Sequence, residues 1–166
     1  SSKQESNLEI SLGQNDPRWA DETMGTENGT IKRYGCLITS IAMIARYYGF
    51  DVTPHDINNY MNENNGYSDG AFMSYTKAEQ YLESVVGKEV KQQFVEQKSI
   101  AREIESGNPV IIHVPGTTTS GHYVLATEVD SNGDYMAYDA YDGSYKPYPP
   151  STILDNKNSV FIIEGS

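Results

Sequence analysis

The chain has 166 residues, a net charge of −11 and one cysteine. That excess of acid argues against binding nucleic acid or an anionic membrane through bulk charge. A single cysteine excludes an internal disulfide and any multi-cysteine zinc site, and no run approaches the roughly 18 apolar residues that a spanning helix needs.

The length is that of one domain. A flexible lead over residues 1–9 and a single domain over 10–166 are expected. The polar start has no apolar signal region, so either the chain does not follow that export route or it is a mature, trimmed form. An extracytoplasmic or secreted placement is expected, in keeping with a surface on which 13 tyrosines outnumber 4 phenylalanines.

Residues 10–12 read as a short extended piece. Residues 14–19 are rich in turn formers and end on the sole tryptophan, Trp19. Residues 20–33 are polar and read as a loop. Then comes Gly35-Cys36, followed by Leu37, Ile38, Ile41, Ala42, Ile44, Ala45 and Tyr48 at helical spacing, with Gly49 as the stop. The breadth of that apolar face predicts a mostly buried helix. Cys36 falls in or just before its first turn, where free N–H groups and the helix dipole favour a thiolate.

Thr53-Pro54 is an N-cap followed by a proline at the first helical position, and it opens a helix to about residue 63. Residues 66–71 read as a loop. Phe72, Tyr75, Ala78, Tyr81, Leu82 and Val85 mark a helix over 72–86 that Gly87 ends. A strand is expected over 90–96, then a short helix over 99–106 with Ser99 as N-cap and Gly107 as stop. The β-branched run at 110–114 is a strand. Residues 122–129 and 134–138 flank Asp130-Ser131-Asn132-Gly133, and the Asn-Gly pair predicts a hairpin. Pro147 to Pro150 should interrupt regular structure, and 159–163 is a last strand. Helices first and antiparallel strands later predict an α+β fold, a helical layer on a sheet.

Three histidines are present. His55 falls in a first helical turn and is expected to be exposed. His113 sits inside the β-branched run and reads as a structural strand residue. His122 opens a strand at the mouth of a Gly/Thr/Ser loop, a place where a rigid element presents a general base. Antiparallel pairing across the 130–133 turn brings residues near 139 beside residues 122–124, so Asp139 lands next to His122. A half-buried aspartate there needs a partner, and the imidazole provides one. Asp130 to Asp134 has the opening spacing of a calcium loop, but the glycine comes one place early and no glutamate closes it, so it reads as the hairpin turn. Cys36 and the histidines show no zinc-ligand spacing, and no metal or cofactor is expected.

As a set, Gln14 with Asp16 and Trp19, Gly35-Cys36 with Thr39-Ser40 and Tyr47-Tyr48-Gly49, Gly121-His122-Tyr123-Val124, and Asp134 through Asp139 resemble the papain-like cysteine peptidases related to the double-glycine leader peptidases of bacteriocin exporters. The likeness is to the stand-alone bacterial and phage branch and spans roughly residues 10–163. It implies a papain-like fold, with a Cys36-bearing central helix packed on a C-terminal antiparallel sheet. It further implies Cys36 as nucleophile, His122 as general base, Asp139 as the carboxylate that orients it, and Gln14 with the Cys36 amide as oxyanion donors. Two departures stand out: Leu37-Ile38 where Gly-Pro is frequent, and Ala140 where proline is usual. They bear on substrate fit more than on chemistry. The implied partner is a peptide substrate, without nucleic acid or membrane span, for a chain expected to be a monomer. Peptidoglycan peptides are a second substrate class for the same scaffold. A papain-like binding or structural module is a non-enzymatic third reading, against which the joint presence of the four site residues argues.

Overall fold

The computed structural model describes residues 4, 7–25, 29–68, 71–116 and 121–165. Its elements in order are α1 (Ile31–Tyr34), α2 (Cys36–Tyr47), α3 (Pro54–Glu63), β1 (Tyr67–Ser68), β2 (Phe72–Met73), α4 (Tyr75–Val86), β3 (Val90–Phe94), α5 (Ile100–Glu105), β4 (Val110–Val114), β5 (His122–Val129), β6 (Tyr135–Asp139), β7 (Tyr145–Tyr148) and β8 (Ser159–Ile163). Single 3-10 turns precede α5 and follow β7.

The helix boundaries follow from local chemistry. Thr53 and Asp56 form a reciprocal capping box at the start of α3, with Pro54 as its first residue. Ser74 caps α4, and Gly87 closes it at φ 76°, a conformation that glycine adopts without a Cβ penalty. The helix expected from residue 72 therefore begins three residues later. Phe72 and Met73 instead pair with Ser68 and Tyr67 in a two-stranded ribbon.

Six strands form an antiparallel sheet in the order β3-β8-β4-β5-β6-β7. The last strand of the chain is thus inserted between β3 and β4. β4 and β8 share one backbone bridge, Ile111 to Ser159. Beyond it the seam is finished by the buried Asn158: its Oδ1 accepts from His113 N at 2.7 Å and its Nδ2 donates to Leu154 O at 2.8 Å. The outer edge of β3 is closed by α4, whose Glu83 and Glu79 accept the backbone N–H groups of Val90 and Gln92 at 3.0 and 2.7 Å, which blunts an otherwise open edge. β7 runs through Pro147, contrary to the expected break. As the outermost strand it tolerates a residue without an N–H.

Strand alternation divides the core in two. Ile111, Leu125, Phe161 and Ile163 meet Ile38, Ile41 and Ala45 of α2 on one face. Val110, Ile112, Val124, Ala126 and Ala137 meet Ile100 and Ile104 of α5 on the other. α2 packs against β5, and Cys36 at its N-terminus lies within electrostatic reach of His122, the first residue of β5. The lead expected at residues 1–9 lies partly outside the described residues; within it Gln4 bridges Phe50 and donates to Tyr48 O at 2.7 Å. The α1 turn, expected as loop, is capped by Thr30.

Replacing Asn158 by Ala strands the buried His113 N–H inside the sheet and removes the donor to the half-buried Leu154 carbonyl. Such a loss costs about 1–3 kcal/mol, and urea unfolding should show it as a lower midpoint with an unchanged slope.

Candidate active site

Cys36 is the first residue of α2, and its N-cap is Gly35, which brings no side chain to cap the first turn. The orphan amides of that turn are therefore open to a ligand. Glycine is required at 35 because a Cβ there would lie 2.5 Å from Ile31 O and 2.7 Å from the Ile31 side chain. The α1 turn and the Cys36 helix are stacked too closely for any other residue.

Gln14 joins the two sides of the site. Its backbone N–H donates to Ala140 O at 2.7 Å, one residue past Asp139. Its side-chain Nε2 donates to Ile31 O at 3.2 Å and Lys32 O at 2.9 Å, in the turn that leads to Cys36. Only 3% of the residue is exposed, and its Oε1 is buried without a partner. The sequence expectation made Gln14 an oxyanion donor. In this conformation both of its amide protons are already given to α1, so one of those bonds must be exchanged before Nε2 can reach a substrate oxygen.

His122 and Asp139 come together as strand pairing predicts. Val124 faces Asp139 across the β5–β6 ladder, so His122, two residues away, points to the same face. His122 Nε2 donates to Asp139 Oδ1 at 2.6 Å. The remaining ring nitrogen is left for the Cys36 thiol, whose sulfur acts electrostatically on the same imidazole. Burial pulls the imidazole pKa down, but Asp139 and the Cys36 sulfur outweigh it and hold the ring at about 9. Burial pushes the Asp139 carboxyl up, yet the hydrogen bonds from His122 and the Tyr141 amide, together with Lys146, hold it well below the usual carboxylate range.

The chain holds two further histidines. His55 lies on the surface, its Nδ1 hydrogen-bonded to Glu22 Oε2 at 2.6 Å. His113 is a structural strand residue: buried, stacked on Tyr123 with ring centroids 5.0 Å apart, and donating from Nδ1 to Asn156 O at 3.2 Å. It bears on the site through Gly121, because a Cβ at 121 would fall 1.9 Å from His113 Nε2. The pinned ring cannot yield, so the residue before His122 must be glycine. The Gly/Thr/Ser loop that precedes it, residues 117–120, lies outside the described residues.

Four residues around the site escaped the sequence reading. Lys146 Nζ lies 3.1 Å from Asp139 Oδ2, and the Tyr148 phenol lies within electrostatic reach of the same carboxylate. On the side of the thiol, the phenols of Tyr75 and Tyr123 meet one another within electrostatic reach of Cys36. Tyr75 opens α4, far from Cys36 in sequence, and nothing local marks it. Tyr123 does carry a signal, as the residue directly after the histidine. Among the described residues no group of acidic, histidine and cysteine side chains could hold a metal ion, and Asp130 to Asp134 forms the hairpin turn, closed by Asp130 N to Asp134 O at 2.9 Å.

The arrangement brings a thiol at a helix start into electrostatic reach of an imidazole bonded to a carboxylate, on the fold of papain-like peptidases. The Peptidase_C39 like family model matches residues 14–159, and the chain belongs to that family. Among solved structures, one from Bacillus anthracis described as a C39-like peptidase superposes with a TM-score of 0.61 at 13% identity, covering 97% of this chain and 98% of that one. The peptidase domain of Streptococcus ComA, a bifunctional ABC transporter involved in a quorum-sensing pathway, superposes with a TM-score of 0.55 at 12% identity, covering 78% of this chain and 90% of that one. At such identities the likeness is one of fold. No curated protein matches the chain.

His122 binds its proton more tightly folded, at about 9, than at its ordinary 6.5. The stabilisation it contributes is complete below 6.5 and is lost as pH rises through about 9. Asp139→Asn removes the anionic partner, so the fall in unfolding free energy between about pH 6 and about pH 9.5 should be shallower in that variant than in wild type. Denaturant titrations at the two pH values measure it.

Proposed function

We propose that this protein is a cysteine peptidase whose nucleophile is Cys36. The observation that carries the reading is the His122 imidazole bonded to the Asp139 carboxylate within electrostatic reach of the Cys36 thiol. Membership of the Peptidase_C39 like family supports the same reading.

His122 takes the thiol proton, and the thiolate attacks the carbonyl carbon of the scissile peptide bond. The C–N bond breaks as His122 returns its proton to the leaving amine. The acyl group stays on sulfur as a thioester until water, deprotonated by the same imidazole, releases it. The negative oxygen of each tetrahedral intermediate is met by the Cys36 backbone N–H at the uncapped start of α2. Gln14 serves as the second donor by exchanging its bond to Lys32 for one to the substrate. Asp139 fixes the ring so that the nitrogen facing sulfur is the one free to move a proton.

The reading extends to linear peptides as the substrate class. Peptidoglycan peptides are the alternative for this scaffold, and release of soluble wall fragments separates the two. Incubation with a library of mixed peptides, read by mass spectrometry, should yield new termini with wild type and none with Cys36→Ala. Gln14→Ala should retain cleavage at a rate lower by about 100-fold or more. Equal cleavage by wild type and Cys36→Ala would refute the assignment.

A further inference from the structure

We propose that Lys146 is a positioning residue of this reaction: its ammonium group occupies the second oxygen of the Asp139 carboxylate and so limits how firmly Asp139 holds His122 in its protonated form. The inference rests on the assignment of Cys36 and His122 as the reacting pair.

Asp139 is shared by groups from two sides. Oδ1 accepts from His122 Nε2 at 2.6 Å and from the Tyr141 backbone N–H at 2.9 Å. Oδ2 receives Lys146 Nζ at 3.1 Å, and the Tyr148 phenol lies within electrostatic reach of the carboxylate. The Asp139 side chain is only 14% exposed while Lys146 is 49% exposed, so water screens the contact in part. Lys146 comes from the outermost strand, paired with Ala137, which sets it diagonal to Asp139 across the ladder. Its Nζ also lies 5.8 Å from the centre of the Tyr148 ring. Carboxylate and ring together hold the ammonium in place.

The chemistry explains why such a clamp matters. A carboxylate devoted to one imidazolium makes it a reluctant acid, and the leaving amine needs that proton. A second cation on the same carboxylate weakens its pull on the ring, and Lys146 repels the imidazolium directly. Both effects lower the basicity of His122. The other groups facing the pair are the Cys36 thiol from α2, His113 from β4, the Tyr148 phenol from β7, and Asp142, which acts on that phenol. Burial keeps His113 below its ordinary value and Tyr148 above its own. In the alkaline window the imidazole is therefore the group through which Lys146 speaks.

The test is the pH dependence of Cys36 alkylation by iodoacetate, in wild type, Lys146→Gln, Lys146→Arg and His122→Ala. Iodoacetate is an anion, and a thiolate beside an imidazolium reacts with it faster than one beside a neutral ring. Wild type should show an alkaline limb near 9, set by His122. Lys146→Gln should move that limb up by about half a pH unit, and Lys146→Arg should leave it where wild type has it. Neutral iodoacetamide, run in parallel, separates loss of the cation from any change in the thiolate. A half-exposed ion pair adds little to stability, so both lysine variants should fold, as circular dichroism would verify. A Lys146→Gln profile that superposes on wild type, while His122→Ala lacks the limb, overturns the role of Lys146 and leaves the reacting pair intact. A limb that persists unchanged in His122→Ala overturns the pair, and the inference with it.

Discussion

Everything in the site depends on the 2.6 Å hydrogen bond between His122 Nε2 and Asp139 Oδ1. It ties one ring nitrogen to the carboxylate, and so leaves the other for sulfur. The bond is a product of register. Side chains alternate along a strand, so a slip of one residue between β5 and β6 would send Asp139 to the α2 side of the sheet and leave the imidazole alone. The turn from Asp130 to Asp134 and the irregularity between Ala126 and Glu128 set that register.

The second requirement is to hold a helix start against a strand start across the body of the protein. α2 is buried along most of its length, from Ile38 to Ala45, and cannot rotate without opening the larger core. Gln14 fastens the remaining freedom, with its backbone on Ala140 and its side chain on α1. Two glycines answer the same demand sterically. Gly35 lets α1 sit against the Cys36 helix, and Gly121 lets the pinned His113 ring lie beneath the chain that delivers His122. The site is thus built from close approaches of backbone as much as from its thiol, imidazole and carboxylate.

Much of this was legible in the sequence, and what was not has physical reasons. The buried helix behind Cys36, the cap at Thr53, the Asn-Gly turn and the placement of Asp139 beside His122 rest on local periodicity, capping and hairpin geometry, all of which act over short stretches. Gln14 stood out only through family likeness, and its bonds to α1 show a tether that no sequence pattern announces. The 72–86 helix starts late because Phe72 and Met73 find strand partners in Ser68 and Tyr67, a competition that helical spacing cannot see. β7 was hidden by Pro147, which reads as a breaker unless the strand is known to be outermost. Lys146 and Tyr75 reach the site by tertiary packing alone.

The central claim is that Cys36 and His122 act as one unit, and its most direct measurement is the rate at which an epoxide peptidase probe labels the protein at neutral pH, with the site mapped by mass. The account predicts rapid labelling at Cys36 in the wild-type protein, slower by about 100-fold or more in His122→Ala. Labelling of Cys36 at equal rates in the two proteins would contradict it.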